Sequence, residues 1–167
     1  MDYTKGRNLL NNGNNLGLWA RESGVSVSYD AEKDMYKLES ISKTSSRWGM
    51  YQDVVVIPGC TLTLSADVCD GNKHASIGLD IKLDGASMGW PATRASSEGN
   101  TKSRKSYTMT SADGESAKAR VYLHFSPTAA GDYAYFSLPK LEYGSEATEW
   151  RPAPEDAVDI NSGGWNS

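Results

Sequence analysis

Apolar and polar residues alternate with period two along most of this chain, and no stretch holds a 3.6-residue apolar repeat over three helical turns. In Thr61–Val68, the residues Leu62, Leu64, Ala66 and Val68 fall on one face. Ile77, Leu79, Ile81 and Leu83 repeat the pattern, with Gly78, Asp80 and Lys82 on the opposite face. Val121, Leu123 and Phe125 do so again, opposed by Arg120, Tyr122 and His124. The spacing predicts further strands at Val25–Tyr29, Met35–Ser40, Trp48–Ile57, Arg104–Thr110 and Tyr133–Glu142. Turn residues separate them, at Asp30–Asp34, Pro58-Gly59, Asp70–Asn72, Asp84-Gly85, Asp113-Gly114 and Ala130–Asp132. Eight or more short strands, each apolar on one side, bury those sides only if two sheets pack face to face. The prediction is an all-β chain, a β-sandwich of two antiparallel sheets.

Some segments fall outside this pattern. Asn11–Asn15 reads as a turn-rich loop leading to a single helical turn in Leu16–Arg21. Ser42–Ser46 is a Ser/Thr-rich loop, and Asp84–Asn100 is longer than an ordinary hairpin connection. After Trp150 the composition turns to that of a linker. The expected organisation is one domain over residues 1–156, with 157–167 as a linker or tail. A single domain of 167 residues buries about 70% of its unfolded surface and needs no staples.

Charge and cysteine usage narrow the function. The net charge of −4 argues against a protein that tracks phosphates, so no nucleic-acid partner is expected. The basic cluster Lys102, Arg104 and Lys105 reads as a solvated loop or edge strand. No run of 18 apolar residues exists, so no membrane span is expected. Met1–Gly6 is polar where a secretory leader would carry an apolar stretch, so no leader is expected. Cys60 and Cys69 stand nine positions apart across a predicted strand. That puts their Cα atoms about 30 Å apart, against the ~6 Å a disulfide tolerates, so both should be free thiols or small core residues. This suits assembly in a reducing cytosol.

The two ends carry a resemblance. Leu138–Asp156 (LPKLEYGSEATEWRPAPED) reads as a last strand, a Gly-Ser turn and one Trp pinned to the domain before the chain leaves through prolines. It resembles the closing segment of the jelly-roll, carbohydrate-binding-like modules of bacteriophage tail and baseplate proteins. Gly6–Leu10 (GRNLL) is similar to their opening strand, so the two matches bracket residues 6–156. The resemblance implies a jelly-roll sandwich and a virion setting on the phage tail, with assembly in the host cytoplasm. It also implies that Trp150 packs against the sandwich, as Trp19 is expected to do. The implied partners are a bacterial cell-wall or capsular polysaccharide and other tail proteins.

A sugar shows hydroxyls around its ring and C–H groups above it, so its binder wants an aromatic platform with a few polar groups beside it. Trp90, held between Gly89 and Pro91 in the long loop, is the first candidate platform, and Tyr122 the second. Asp80, Lys82, Arg94, Arg120 and His124 are the candidate hydrogen-bonding groups. Asp67 points outward on a third strand, and the outward side chains make one polar floor if these strands are neighbours. Trp48 and Tyr51 lie on opposite faces of their strand, so at most one joins that floor.

Catalysis finds little support. A glycosidase needs two carboxylates flanking its substrate, and Asp67 with Asp80 is the one pair the strands suggest. No Gly-x-Ser-x-Gly elbow is present to raise a serine towards His74 or His124. No zinc spacing and no EF-hand spacing occur, and the Asp-rich turns at Asp30–Asp34 and Asp70–Asn72 read as turn chemistry. No metal or other cofactor is expected. The reading is a non-enzymatic module that binds host-surface saccharide and aids phage adsorption. Its alternatives are a structural virion module (fibre or decoration) and an accessory module of a polysaccharide hydrolase.

Overall fold

The computed structural model describes residues 6–42 and 47–156, so the predicted tail at 157–167 and most of the Ser42–Ser46 loop lie outside the described residues. In chain order the strands are β1 (Ala20–Arg21), β2 (Val25–Asp30), β3 (Met35–Ser40), β4 (Trp48–Val56) and β5 (Thr61–Asp70). They continue with β6 (Ser76–Leu83), β7 (Thr93–Ser96), β8 (Ser103–Thr110), β9 (Ala117–Phe125) and β10 (Tyr133–Tyr143). One sheet has the order β1-β4-β9-β6-β7 and the other β2-β3-β10-β5-β8. Each pairing is antiparallel. The molecule is a jelly-roll β-sandwich: the alternation predicts the sandwich, and the resemblance of the two ends implies the jelly roll.

The inward faces are the predicted apolar ones. Met50, Ile77, Leu79, Val121, Leu123 and Phe125 of the first sheet meet Leu38, Leu62, Leu64, Val68, Phe136 and Leu141 of the second. Each such side chain contributes roughly 1.5–3 kcal/mol by leaving water. Leu16 and Trp19 close the core from a single turn of 3₁₀ helix at Leu16–Leu18. Both cysteines are free, and Cys69 sits in a small cluster with Met35 and Tyr135 on the outer side of the second sheet.

Two expectations need correction. The loop at 84–100 contains a strand, β7, whose Thr-Arg-Ala-Ser sequence has no apolar alternation. It is an edge strand paired only with β6, so it needs no buried face of its own. Asp67 and Asp80 do not lie on neighbouring strands, because β5 and β6 belong to different sheets. The basic cluster is the outer edge of the second sheet, where Lys105 pairs with Glu98 and Arg104 with Asp67.

The two ends of the domain meet over a bulge in β10. Pairing with β5 slips between Ser137 and Lys140, where Leu138 adopts a φ of 48°. Asn8 fills the gap: its Oδ1 accepts from Leu10 N (3.0 Å) and Leu141 N (3.2 Å). Its Nδ2 donates to Pro139 O (3.2 Å) and Arg151 O (2.9 Å). Trp150 Nε1 donates to Pro139 O as well (3.2 Å). Beside them Lys140 is 0% exposed and bonds Thr148 Oγ1 and Glu149 O, while Glu142 accepts from the Thr148 backbone and hydroxyl. Burial pulls the Lys140 ammonium below its usual range, and the Glu142 carboxylate opposes that pull.

Asn8→Ala should therefore destabilise the domain by about 2–4 kcal/mol, since it strands buried backbone groups at both ends. Urea unfolding followed by tryptophan fluorescence reads this as a lower midpoint at unchanged slope. A shift below about 0.5 kcal/mol would mean the termini are held by packing alone.

Candidate functional site

Four rungs cross the outer face of the first sheet, each running β4 to β9 to β6. They are Gly49–His124–Ser76, Tyr51–Tyr122–Gly78, Asp53–Arg120–Asp80 and Val55–Lys118–Lys82. The predicted partners Arg120, Tyr122, His124, Asp80 and Lys82 thus share one surface. Tyr51 lies on it, whereas Trp48 turns inward and packs against the core.

The chain after β6 folds back over this surface. Gly78 makes that possible: a Cβ there would stand 3.0 Å from Ala92 O and 3.2 Å from the Pro91 ring. Three bonds then fix the segment on both sides of Trp90. Arg120 Nη1 donates to Gly89 O (2.9 Å), Arg47 donates to Pro91 O, and Asp80 Oδ2 accepts from Ala92 N (3.3 Å).

The result is a stack along β9. The Trp90 ring lies 5.3 Å from the Arg120 guanidinium and 5.0 Å from the Tyr122 ring, which stacks on His124 at 4.6 Å. Tyr51 meets Trp90 edge-on at 5.4 Å and lies under Arg120 at 4.6 Å. Trp90 remains 46% exposed.

Electrostatics follow from what is covered. Arg120 donates twice to Asp53, at 2.6 and 3.0 Å, which raises its already high pKa. Tyr122 donates to Glu22 Oε1 (2.7 Å), whose same oxygen accepts from Gly49 N. Burial, then the Glu22 bond, push its phenol far above the ordinary value. His124 shares a hydrogen bond with Thr93 Oγ1 (3.1 Å), and its Nδ1 has no protein partner. Burial first, and the nearby Arg47 charge second, push it down to about 3.

Against the sequence reading, a solvated floor is corrected for two residues. Tyr122 and His124 are each 1% exposed, because loop residues far along the chain cover them. Arg94 is turned to the sandwich edge, 4.8 Å over Tyr107 of β8, and donates to Asp80 Oδ1 (2.8 Å). Asp80 is thereby engaged on both oxygens. Lys82 has no ion pair among the described residues. Sequence reasoning missed Glu22, Arg47 and Asp53. Asp53 was legible, two positions after Tyr51 on the same face; Glu22 and Arg47 carry no local signal. Among the described residues no group of three or more metal-ligating side chains gathers. Asp30 Oδ1 instead accepts from Glu32 N and Lys33 N within its own turn.

No protein-family model matches the chain, and no curated protein matches it. Solved structures share its fold. The enzymatically active domain of bacteriophage CBA120 tailspike protein 4 is similar at TM-score 0.55 and 17% identity, covering 82% of this chain and 21% of that one. A family 16 carbohydrate-binding module is similar at TM-score 0.54 and 20% identity, covering 80% of this chain and 99% of the module. The CBM22-1 xylan-binding domain of Paenibacillus barcinonensis Xyn10C gives TM-score 0.50 at 17% identity, covering 77% and 87%. The chain thus spans about a fifth of the tailspike chain and most of either binding module. At these identities the likeness is one of fold.

The depressed His124 makes stability depend on pH in one direction. Above about 6.5 the imidazole is neutral folded and unfolded, and nothing is lost. As pH falls from 6.5 towards 3 the unfolded chain takes up a proton the folded one refuses, costing about 1.4 kcal/mol per pH unit. Thermal melts of the protein and of His124→Gln across that range should converge as pH drops. Parallel curves would show that His124 is protonated in the folded state.

Proposed function

We propose that this domain binds saccharide without catalysis, and that Trp90 on the outer face of the first sheet is the centre of its site. The observation that carries the reading is Trp90 itself. An exposed indole pinned by backbone bonds on both sides is a platform that loses little freedom when a sugar stacks on it. Tyr51 and Arg120 flank it, and Lys82 with Lys118 stands one rung further on, offering donors to hydroxyls. Tyr122 and His124 support the platform from beneath, and Asp80 and Arg94 hold the loop that carries it. Fold likeness to carbohydrate-binding modules supports the class of ligand. The position of Asp67 and Asp80 on different sheets supports a non-catalytic role, since it dissolves the one carboxylate pair the strands suggested.

In its finer form, the ligand is a bacterial cell-wall or capsular polysaccharide and the setting is a phage tail, where the domain aids adsorption to the host. Support comes from the opening and closing segments and from the fold likeness to a tailspike domain. A structural virion role draws on one observation, the strongly exposed Val55 and Ile57 at the far end of the same face.

Pull-down on host cell walls and their stripped polysaccharide tests the reading. Trp90→Ala should weaken binding about tenfold or more, or roughly 1.4 kcal/mol, with the fold intact. Unchanged or tighter binding would make Trp90 a cover over Tyr122 and move the site. No binding by the multimerised protein would favour the structural role.

A further inference from the structure

A cleft at the β2–β3 end of the second sheet, lined by Asn14, Tyr29, Asp34, Tyr36, Ser137 and Leu138, has a volume of about 280 Å³. That is near the lower size of small-molecule sites and suits one sugar ring, or two lying shallowly. Tyr29 and Tyr36 face each other across the β2–β3 register, their rings 5.3 Å apart and inclined at 58°. The inclination makes an open V, and Tyr29 is 53% exposed.

The polar groups around the V are fixed. Tyr29 donates its hydroxyl hydrogen to Asp34 Oδ1, leaving the second carboxylate oxygen without a protein partner among the described residues. Tyr36 donates to Asn14 O (3.1 Å), which ties the loop ahead of the 3₁₀ turn to the cleft and leaves the Asn14 amide at its rim. Ser137 and Leu138 enter from the β10 bulge. Leu138 is held at φ 48°, a conformation a bulky side chain avoids, by the donation of Arg104 Nη1 to its carbonyl (2.7 Å). Asp34 is left-handed too, at φ 52°. The Asp34 turn and the β10 bulge account for these two conformations, and both bring side chains to the rim of the cleft.

No lysine or arginine lines the cleft, and its one carboxyl group is that of Asp34. Acidic sugars and phosphates are therefore disfavoured. Two phenol faces with a carboxylate, an amide and a hydroxyl suit a neutral pyranose or furanose, whose hydroxyls donate to carboxylate and accept from amide.

We propose that this cleft is a second saccharide subsite, selective for a neutral sugar unit and separate from Trp90. It rests on the reading of the domain as a saccharide binder, but on different residues of the other sheet. Two such sites on one domain engage separate units of a repeating polymer, and affinity rises by effective concentration rather than by new contacts.

Nitrogen-15 NMR titration of the whole chain with D-glucose, D-galactose, D-xylose, N-acetyl-D-glucosamine and D-glucuronate tests this. At least one neutral sugar should shift the amides of Asn14, Tyr29, Asp34, Tyr36 and Leu138 saturably, with roughly millimolar affinity. D-glucuronate should bind there several-fold more weakly. Tyr29→Ala should lose about tenfold or more at this patch, Tyr29→Phe should keep most of the affinity, and Trp90→Ala should leave it unchanged. Shifts around Trp90 alone would keep the first site and overturn this one. Shifts around neither would overturn both. Saturable shifts at this patch that survive Tyr29→Ala would also overturn it.

Discussion

Pro139 leaves a gap in the middle of a sheet. β10 lies between β3 and β5, where each backbone N–H ought to find a partner, and a proline has none to offer. The chain answers with a bulge, so that Leu138 and Pro139 together stand opposite Ala66. Carbonyls and amides freed by the bulge have to be satisfied from outside the sheet. Asn8 does most of this and Trp150 helps, which is why both ends of the domain converge there. Gly13 belongs to the same arrangement: a Cβ on it would lie 3.0 Å from Pro139 O and 3.3 Å from Trp150 Nε1, so a side chain there would press the loop at 11–15 away from the bulge. That loop brings Asn14, and the bulge brings Leu138, to the tyrosine cleft. One irregularity thus accounts for the closure of the domain and for a concavity on its surface.

The first sheet poses the opposite problem, since β4, β9 and β6 pair across its outer face without a slip. Without a cover, the rungs of Tyr51, Tyr122 and Arg120 would be solvated as half of an antiparallel sheet can be. The segment at 89–92 changes this by supplying Trp90 as a ring between Arg120 and Tyr122. Charges beside it are then neutralised in place, Arg120 by Asp53, and at the sandwich edge Arg94 by Asp80. Pairing at these sites fixes geometry more than it adds stability, because partly exposed ion pairs contribute about 0–1 kcal/mol.

Alternation along the strands made the sandwich legible, because each strand has one buried face and period two reports it directly. β7 and β1 were not legible: an edge strand of four residues and one of two need no apolar side of their own. The same limit governs the site. Period two placed Arg120, Tyr122 and His124 together on one face, but burial of Tyr122 and His124 depends on Pro91, Trp90, Glu22 and Arg47. Glu22 meets Tyr122 across 100 positions of chain, and no local pattern encodes that contact. Whether Asp67 and Asp80 are neighbours is not legible from alternation either, and topology separates them: the connection from β5 to β6 crosses from one sheet to the other.

The saccharide platform proposed at Trp90 sets its own limits on affinity. Arg120 already gives three hydrogen bonds to Asp53 and Gly89, and both Asp80 oxygens are taken. A ligand can add to the remaining donors but cannot replace these bonds without stranding a charge, a loss of about 1–3 kcal/mol or more. Contact must therefore come from stacking on the open part of Trp90 and from peripheral donors such as Lys82. Pre-organisation lowers the entropic cost of that contact, yet a shallow surface buries too little area for tight binding of a single sugar unit. For the proposed polysaccharide ligand, repetition would supply what depth does not, whether through the second cleft proposed on the same domain or through several copies together, since a polymer offers the same unit to each.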